Sequence, residues 1–591
     1  MPRRNDIGSS DSISARTSLW VNGSFLLCAA GLWLEHLRRS LSTPLEFDDA
    51  YMFYRYALHV RQGLGMSWNL DGVHTFGETS QLWGVPVLLL TYLPLSASKA
   101  LIVGSWVCSV GMIWTVSWAV SQNATSRYMR SAWRVASIVA LPLMLTYMFR
   151  VNAVTGMETM LAAMLCAAFA GGVLVWSRGA ARPEFVALLG LLLFLARPES
   201  AVVVMLMPAL VGLYSLGGTK RGLSVLLGVF LASLALDLIA CKAYYGTPFP
   251  LSLYMKSRHG YEGYAVSWHP FTGIMMLLAS CWPFVALLVL LVRRQDWRMV
   301  AVLLLPAVAV FAYLTTVTQI MGKNSRYYLP YLGLIVIPAL LVLDRRIAEG
   351  RSAVGLLPSR RVKVLACCAV IAGMAVLYVN QRVIKMRQLS YAVDRMIERR
   401  NDIYDPEHFE TTATVRLPVA SGYEEFVALT KRVIQPLPIG TTIAASEVGY
   451  VGAMAPHVNV IDIAGLNDTE IALSGFDMNA LLARHPDIIW MPHNAYTFQR
   501  GLMIANPKFL KDYDYFVGAA SYGLALRRDS PIRPQIDREM QLFWADMYPG
   551  YKMSDYLAKA ASWSGAKHAA SSDDKITEEY EKDQLDYATQ E

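Results

Sequence analysis

The chain has 591 residues, 54% of them hydrophobic and 17% charged, with a mean hydropathy of +0.35. Soluble domains carry roughly a quarter charged residues, so this balance excludes an ordinary soluble protein and points to one that crosses a membrane many times. Many of the cations behind the formal charge of +8 lie in short loops between apolar runs, where they set orientation and argue against nucleic acid as a partner.

The chain opens on a polar, basic stretch, and residues 1–17 read as a cytoplasmic N-terminal segment. The apolar run at 18–36 ends in GLWLEHLRRS without a small-residue cleavage site, which makes it a retained first span. Next comes a first outer loop, 37–81, containing LEFDDAYMFYRYA at 45–57. Asp48 and Asp49 precede an aromatic helix that ends near Gly63 and Gly65. Tyr51, Arg55 and Leu58 share one face of that helix, while Met52, Tyr56 and His59 share another, as in a short helix lying along the membrane interface. Either acid makes a good N-cap, which accounts for one of them and leaves the other over.

Further apolar segments follow near 82–95, 100–120, 133–149, 159–176, 184–196, 199–216, 223–241, 270–292, 298–316, 328–343 and 363–380. Arg178 with Arg182, Lys220 with Arg221, Arg293 with Arg294 and Arg298, and the stretch from Arg345 to Lys363 mark the cytoplasmic side. The parity works if 82–95, with Pro86 and Pro94, is re-entrant, giving about eleven net crossings with the C-terminus outside. Residues 18–380 then form the membrane domain.

Beyond residue 380 the pattern changes. Short β-type runs at 441–449, 457–465, 487–491, 514–518 and 522–528 alternate with helical stretches such as 476–485. That alternation predicts an α/β domain over 381–565 on the non-cytoplasmic side. The tail, 566–591, is acidic and has the composition of a disordered segment. All seven cysteines fall in or beside apolar segments, as buried structural cysteines do.

Four polar clusters reach the outer face: Asp48 and Asp49; Glu158 in TGMET with Arg197 and Glu199 in ARPES; Tyr244 to Lys256; and Lys323 to Tyr328. Each has a plain reading: a first-turn glutamate favoured by the helix dipole, a local Arg197–Glu199 salt bridge, a snorkelling Lys256. Cations on an outward loop run against the positive-inside tendency, so Arg326 points to anion binding. Acids and cations at one interface suit a reaction with a phosphate leaving group and an acceptor hydroxyl.

The Asp-Asp-Ala-aromatic start, the run GLGMSWNLDGVHTFGETSQLW, the loops TGMET, ARPES, YYGTPFPLSLYMK and GKNSRYYLP, and VIDIAGLND at 460–468 together resemble polyprenyl-phosphate-dependent GT-C glycosyltransferases. The nearest resemblance is to the mycobacterial terminal arabinofuranosyltransferase B group, in order across roughly residues 45–470. It implies an inverting transferase on the cytoplasmic (inner) membrane, working at its outer face. The donor is a polyprenyl-phosphate-linked sugar and the acceptor an envelope glycan, glycolipid or protein. The resemblance makes Asp49 the base, with Asp48 its neighbour or the alternative. It sets Lys256, Arg326 and Tyr327 on the donor phosphate, and Glu158, Arg197, Glu78, Tyr54 and Arg55 toward sugar or acceptor. No cofactor is required by it; a divalent metal is allowed, and the Asp pair alone does not demand one. Leu251 and Ser252 stand where the family has Asn-Thr, which leaves the sugar undetermined. His59 and His74 read as structural, and Asp462, Asn467 and Asp468 as turn residues more than glycan contacts. The rival readings are a transporter of a lipid-linked sugar and a non-catalytic envelope-assembly subunit.

Overall fold

A computed structural model describes residues 8–43, 45, 47–257, 270–317, 323–349, 422–493, 496–516, 520, 522–550 and 552–554. Its contacts divide the chain into two units: residues 1–45, 80–238 and 268–385 form the first, and 46–79, 239–267 and 386–591 the second. The last division falls at 385, close to the boundary expected at residue 380, and two earlier stretches join the C-terminal residues. Most of the first outer loop, and the end of the span that reaches Tyr245, belong with the C-terminal residues.

The first unit is helical. Among the described residues, four helices are long and apolar enough to cross a ~30 Å hydrocarbon layer: α4 (Ala97–Asn123), α7 (Thr159–Ser177), α10 (Lys220–Tyr245) and α14 (Trp297–Leu314). Helix α7 lies at the centre, with 83% of its apolar window buried against 11% for α10. Its small residues Ala162, Ala163, Ala167 and Ala170 are buried and let neighbouring backbones come close, which is how helices pack when lipid supplies no hydrophobic drive.

Several expected spans are shorter than the sequence suggests, and proline is the recurring reason. The run at 270–292 is two helices, α12 (Pro270–Ser280) and α13 (Trp282–Leu291), bent by 73°. Pro283, in the first turn of α13, has no N–H to continue the α12 ladder. Helix α8 (Pro183–Ala196) stops just before Arg197-Pro198, and α9 (Ala201–Leu213) follows. Helix α3 (Gln81–Leu90) has ten residues, about 15 Å at 1.5 Å per residue. The remaining helices of this unit are α1 (Gly8–Ser40), α5 (Ala132–Leu145), α6 (Tyr147–Asn152) and α15 (Gly333–Ala348). The apolar run at 363–380 lies outside the described residues.

At the basic ends of these helices the charges are paired. Asp344 accepts hydrogen bonds from the N–H and hydroxyl of both Thr125 and Ser126, and Arg345 and Arg346 both pair with buried Asp296.

The second unit contains a five-stranded sheet of order β2-β1-β3-β5-β4, and each of the five β-type runs supplies one strand. These are β1 (Thr442–Ala445), β2 (Asn459–Asp462), β3 (Ile488–Trp490), β4 (Tyr513–Phe516) and β5 (Leu524–Arg527). Strands β2, β1 and β3 are parallel, with Ile443 opposite both Val460 and Ile488. Strand β5 runs antiparallel to both β3 and β4, so the β4–β5 step needs no crossover helix, whereas two short helices between residues 497 and 512 carry the chain from β3 to β4. Alternation puts Ile461, Ile489, Tyr515 and Ala525 into one core, while Trp490 faces Phe426 on the other side at 4.8 Å. The chain passes from β1 to β2 through one short helix, α17 (Gly449–Met454), and the helix that begins with the adjacent acids of the outer loop, α2 (Asp48–Arg61), packs against it.

Candidate active site

Helix α2 begins at Asp48, with extended Phe47 before it, so both acids lie in its first turn, where the helix dipole favours negative charge. It ends in a paired closure: the N–H of Gly63, at φ +84°, bonds to Val60 O, and that of Leu64 to His59 O. Between those ends Ala50, Tyr51, Phe53, Tyr54, Arg55, Tyr56, Ala57 and His59 are all buried. Burial on this many sides shows α2 packed into protein, with no broad face left free.

Capping is corrected too, since neither acid caps α2. The Asp48 carboxylate accepts hydrogen bonds from the backbone N–H groups of Gly449 (2.7 Å) and Tyr450 (2.8 Å), the first residues of α17. Desolvation pushes Asp48 up to about 6; the two amides pull it back, and the charge of Asp49 adds to the rise. Asp49 itself is half-buried.

Arg55 is fully buried, and its five N–H groups all have acceptors. Nε donates to Trp68 O (2.7 Å), Nη1 to Gly452 O (2.9 Å) and Ala455 O (3.5 Å), and Nη2 to Val458 O (2.8 Å) and Asn69 Oδ1 (3.4 Å). Its guanidinium also lies over the Trp68 ring at 4.8 Å. Desolvation lowers its pKa to about 9, which leaves it charged at neutral pH. Nothing remains with which to hold a sugar, so the contact expected of Arg55 is corrected to a structural staple.

The SWN stretch after α2 continues the same attachment. Trp68 Nε1 donates to Val460 O (2.9 Å), and Asn69 Oδ1 accepts from Val460 N (2.7 Å). His59 lies between Ser67 O (2.8 Å) and Pro456 O (3.1 Å), the structural role expected of it, while His74 stacks on Tyr244 at 4.0 Å.

A second polar group runs from Tyr56 to the C-terminal domain. The Tyr56 hydroxyl donates to Asn467 Oδ1 (3.1 Å), and Asn467 Nδ2 and backbone N donate to Asp462 Oδ2 (2.8 and 2.9 Å). Burial pushes Asp462 up to about 7. It closes the turn at 462–467, and Asp468 caps α18 (Thr469–Ser474) and pairs with Arg484, so the plainer reading of both acids is the one found. Nearby Glu78 is buried, with no hydrogen bond to either carboxyl oxygen from the described residues, and burial holds it well above the usual carboxylate range. Lys256 lies in the last turn of α11 (Leu251–Ser257), whose Leu251 N donates to Phe76 O (2.8 Å) and whose Leu251 and Met255 pack on Ala472.

The first unit holds the other cluster. Arg197 donates from Nη1 to Glu158 Oε1 (3.2 Å) and from Nε to Glu199 Oε1 (2.6 Å). The guanidinium of Arg197 lies 5.3 Å from the Tyr327 ring centre and that of Arg326 5.8 Å from the same ring. Glu158 takes the residue position before α7 without capping it; its Oε2 has no hydrogen bond among the described residues. The loop is held by Asn152 Nδ2 donating to Asn324 O (2.9 Å) and Ser325 Oγ donating to Gly273 O (2.8 Å). The Arg197–Glu199 pair is thus the salt bridge that the spacing allowed, with Glu158 as a further partner.

Of the residues singled out by sequence, Asp48, Asp49, Tyr54, Arg55, Glu78 and Lys256 belong to the second unit, and Glu158, Arg197, Arg326 and Tyr327 to the first. Gly449, Tyr450, Gly452 and Val458 escaped the sequence reading because they act through backbone groups, which leave no side-chain signature. Among the described residues, no group of three or more His, Cys, Asp or Glu could hold a metal.

Residues 377–543 match a family model described as a domain of unknown function, DUF8728, a span containing all five strands. No curated protein matches the chain by sequence. Among solved structures the chain is similar to ArnT from Cupriavidus metallidurans, in a crystal form bound to undecaprenyl phosphate and in the apo state. Each match has 13% identity and a TM-score of 0.50, and covers 86% of this chain and 98% of ArnT. At that identity the likeness establishes the fold, a polytopic helical membrane protein.

Proposed function

We propose that this protein is an inverting glycosyltransferase of GT-C type, moving a sugar from a polyprenyl-phosphate donor to an envelope glycan, glycolipid or protein. The observation that carries the reading is the hold on Asp48, whose carboxylate accepts from the amides of Gly449 and Tyr450. Both acids are half-buried, and two amides on one carboxylate weaken it as a base, which supports Asp49.

In the proposed step, Asp49 takes the proton of the acceptor hydroxyl as its oxygen bonds to the anomeric carbon. The bond from that carbon to the donor phosphate breaks, and its electron pair leaves on the phosphate oxygen. Lys256 and Arg326 balance the charge gathering there, with Tyr327 against Arg326. Glu158 and Glu78 present carboxyl oxygens that no described residue bonds, a state that suits arriving sugar hydroxyls, and Tyr54 sits on the same helix as Asp49. The fold of ArnT, whose crystal structure was bound to undecaprenyl phosphate, supports a polyprenyl-phosphate donor. The choice of arabinofuranose rests on the sequence resemblance, and the outer face of the cytoplasmic membrane on the distribution of basic loops.

The test is transfer from a radiolabelled polyprenyl-phosphate sugar to an envelope acceptor by the purified protein. The reading expects transfer that Asp49→Asn abolishes. Full transfer in that variant would remove the base assignment, and flipping of the labelled lipid without transfer would favour the transporter.

A further inference from the structure

Given Asp49 as the base, on the reading proposed above, whatever fixes α2 also fixes the reacting acid. Helix α2 meets α17 through a pair of glycines. A Cβ on Gly449 would stand 2.0 Å from Asp48 O and 3.0 Å from Asp48 Oδ2, and one on Gly452 would stand 2.7 Å from Arg55 Cδ. Both approaches need a position without a side chain: at Gly449 backbone meets backbone, and at Gly452 the Arg55 side chain takes the space. At the first glycine, the N–H groups of residues 449 and 450 bind different oxygens of one carboxylate, Oδ2 and Oδ1. At the second, the carbonyls of Gly452, Ala455 and Val458 take three of the N–H groups of Arg55.

Apolar packing alone would hold α2 in place: Tyr51 meets Tyr450 edge-on at 5.1 Å, and Ala50 is fully buried. Such packing is non-directional and leaves rotation and sliding loosely fixed. Two directional bonds to the carboxylate in the first turn, and a fork of bonds about two turns further on, fix both. The residue between the carboxylate and the fork that these bonds orient most directly is the next one along, Asp49.

We propose that the Val448–Gly452 turn of the C-terminal domain is a positioning clasp for the reacting acid. By gripping Asp48 and Arg55, it sets the direction in which Asp49 presents its carboxylate. Asp48 is a positioning residue, and the domain is a working part of the transferase through this turn.

The experiment uses the full chain in detergent and compares Gly449→Ala and Asp48→Asn with Asp477→Asn. Asp477 caps α19 (Met478–Ala483), away from α2, through Ala480 N at 2.6 Å, so its loss affects stability alone. In both clasp variants kcat falls about 100-fold, the effect of a small misplacement of a reacting group. The donor KM stays within about twofold, the acid limb of the kcat–pH profile moves, and Asp477→Asn leaves all three unchanged. Hydrogen exchange of the amides at 50–54 rises in Gly449→Ala. Native kcat in both clasp variants, or losses that merely track the folded fraction as in Asp477→Asn, would overturn the clasp. So would unchanged exchange at 50–54, whatever the enzymology. Full transfer by Asp49→Asn would instead count against the base assignment, so the two failures are distinguishable.

Discussion

Two buried clusters, one in each unit, neutralise charge in opposite ways. In the first, Arg197 is met by two carboxylates, Glu158 and Glu199, so side chain answers side chain. In the second, Asp48 and Arg55 are answered by backbone amides and carbonyls some 400 residues away in sequence. A side-chain pair fixes a net charge in a loop; a backbone cradle also fixes the orientation of the helix that carries the charge, because carbonyls and amides cannot rotate away. The proposed clasp makes use of the second arrangement.

The comparison is broken most severely at Arg55. Arg55→Met leaves the carbonyls of Trp68, Gly452 and Val458 buried and unbonded, and we expect a loss of about 5 kcal/mol, read as failure of the second unit to fold or a large drop in unfolding temperature. Arg197→Ala strands two buried carboxylates and should cost about 4 kcal/mol in the first unit. Adding Glu158→Gln and Glu199→Gln should recover part of that, whereas no side-chain substitution can rescue Arg55→Met.

A pH dependence separates the units next. Asp462 sits at about 7 in the folded protein, above its ordinary value near 3.8, so the native state holds its proton more tightly than the unfolded chain. The stability it contributes is complete below the unfolded value and is lost as pH rises through about 7. Asp48, raised to about 6, acts in the same direction. The unfolding temperature of the second unit should therefore fall by several degrees between about pH 4 and pH 7.5, and Asp462→Asn should flatten that slope. The smallest expected effect is that of Tyr56→Phe, which removes one hydrogen bond to Asn467 and costs about 1 kcal/mol.

What could be read from the sequence follows the same line. The strands were legible because Ile, Val and aromatic residues recur between turn residues, and α2 because its acids and its glycine mark both ends. The Arg197–Glu199 bridge was legible from spacing. The bend at Cys281 had a visible signal in Pro283, which the continuous hydrophobicity of 270–292 masked. The clasp had none, because Gly449 and Gly452 look like ordinary turn glycines until α2 is placed beside them. Two adjacent acids therefore read as a cap with one left over. In the structure Asp48 caps a helix from the other end of the chain, and the proposed function gives the chemistry to Asp49.

The most direct test of this division is the ratio of kcat values for Asp49→Asn and Asp48→Asn in the transfer assay. Asp49 as base and Asp48 as its positioning partner predict that Asp49→Asn loses about 1,000-fold or more, while Asp48→Asn loses about 100-fold with an unchanged donor KM. An Asp48→Asn variant more damaged in kcat than Asp49→Asn would contradict the account.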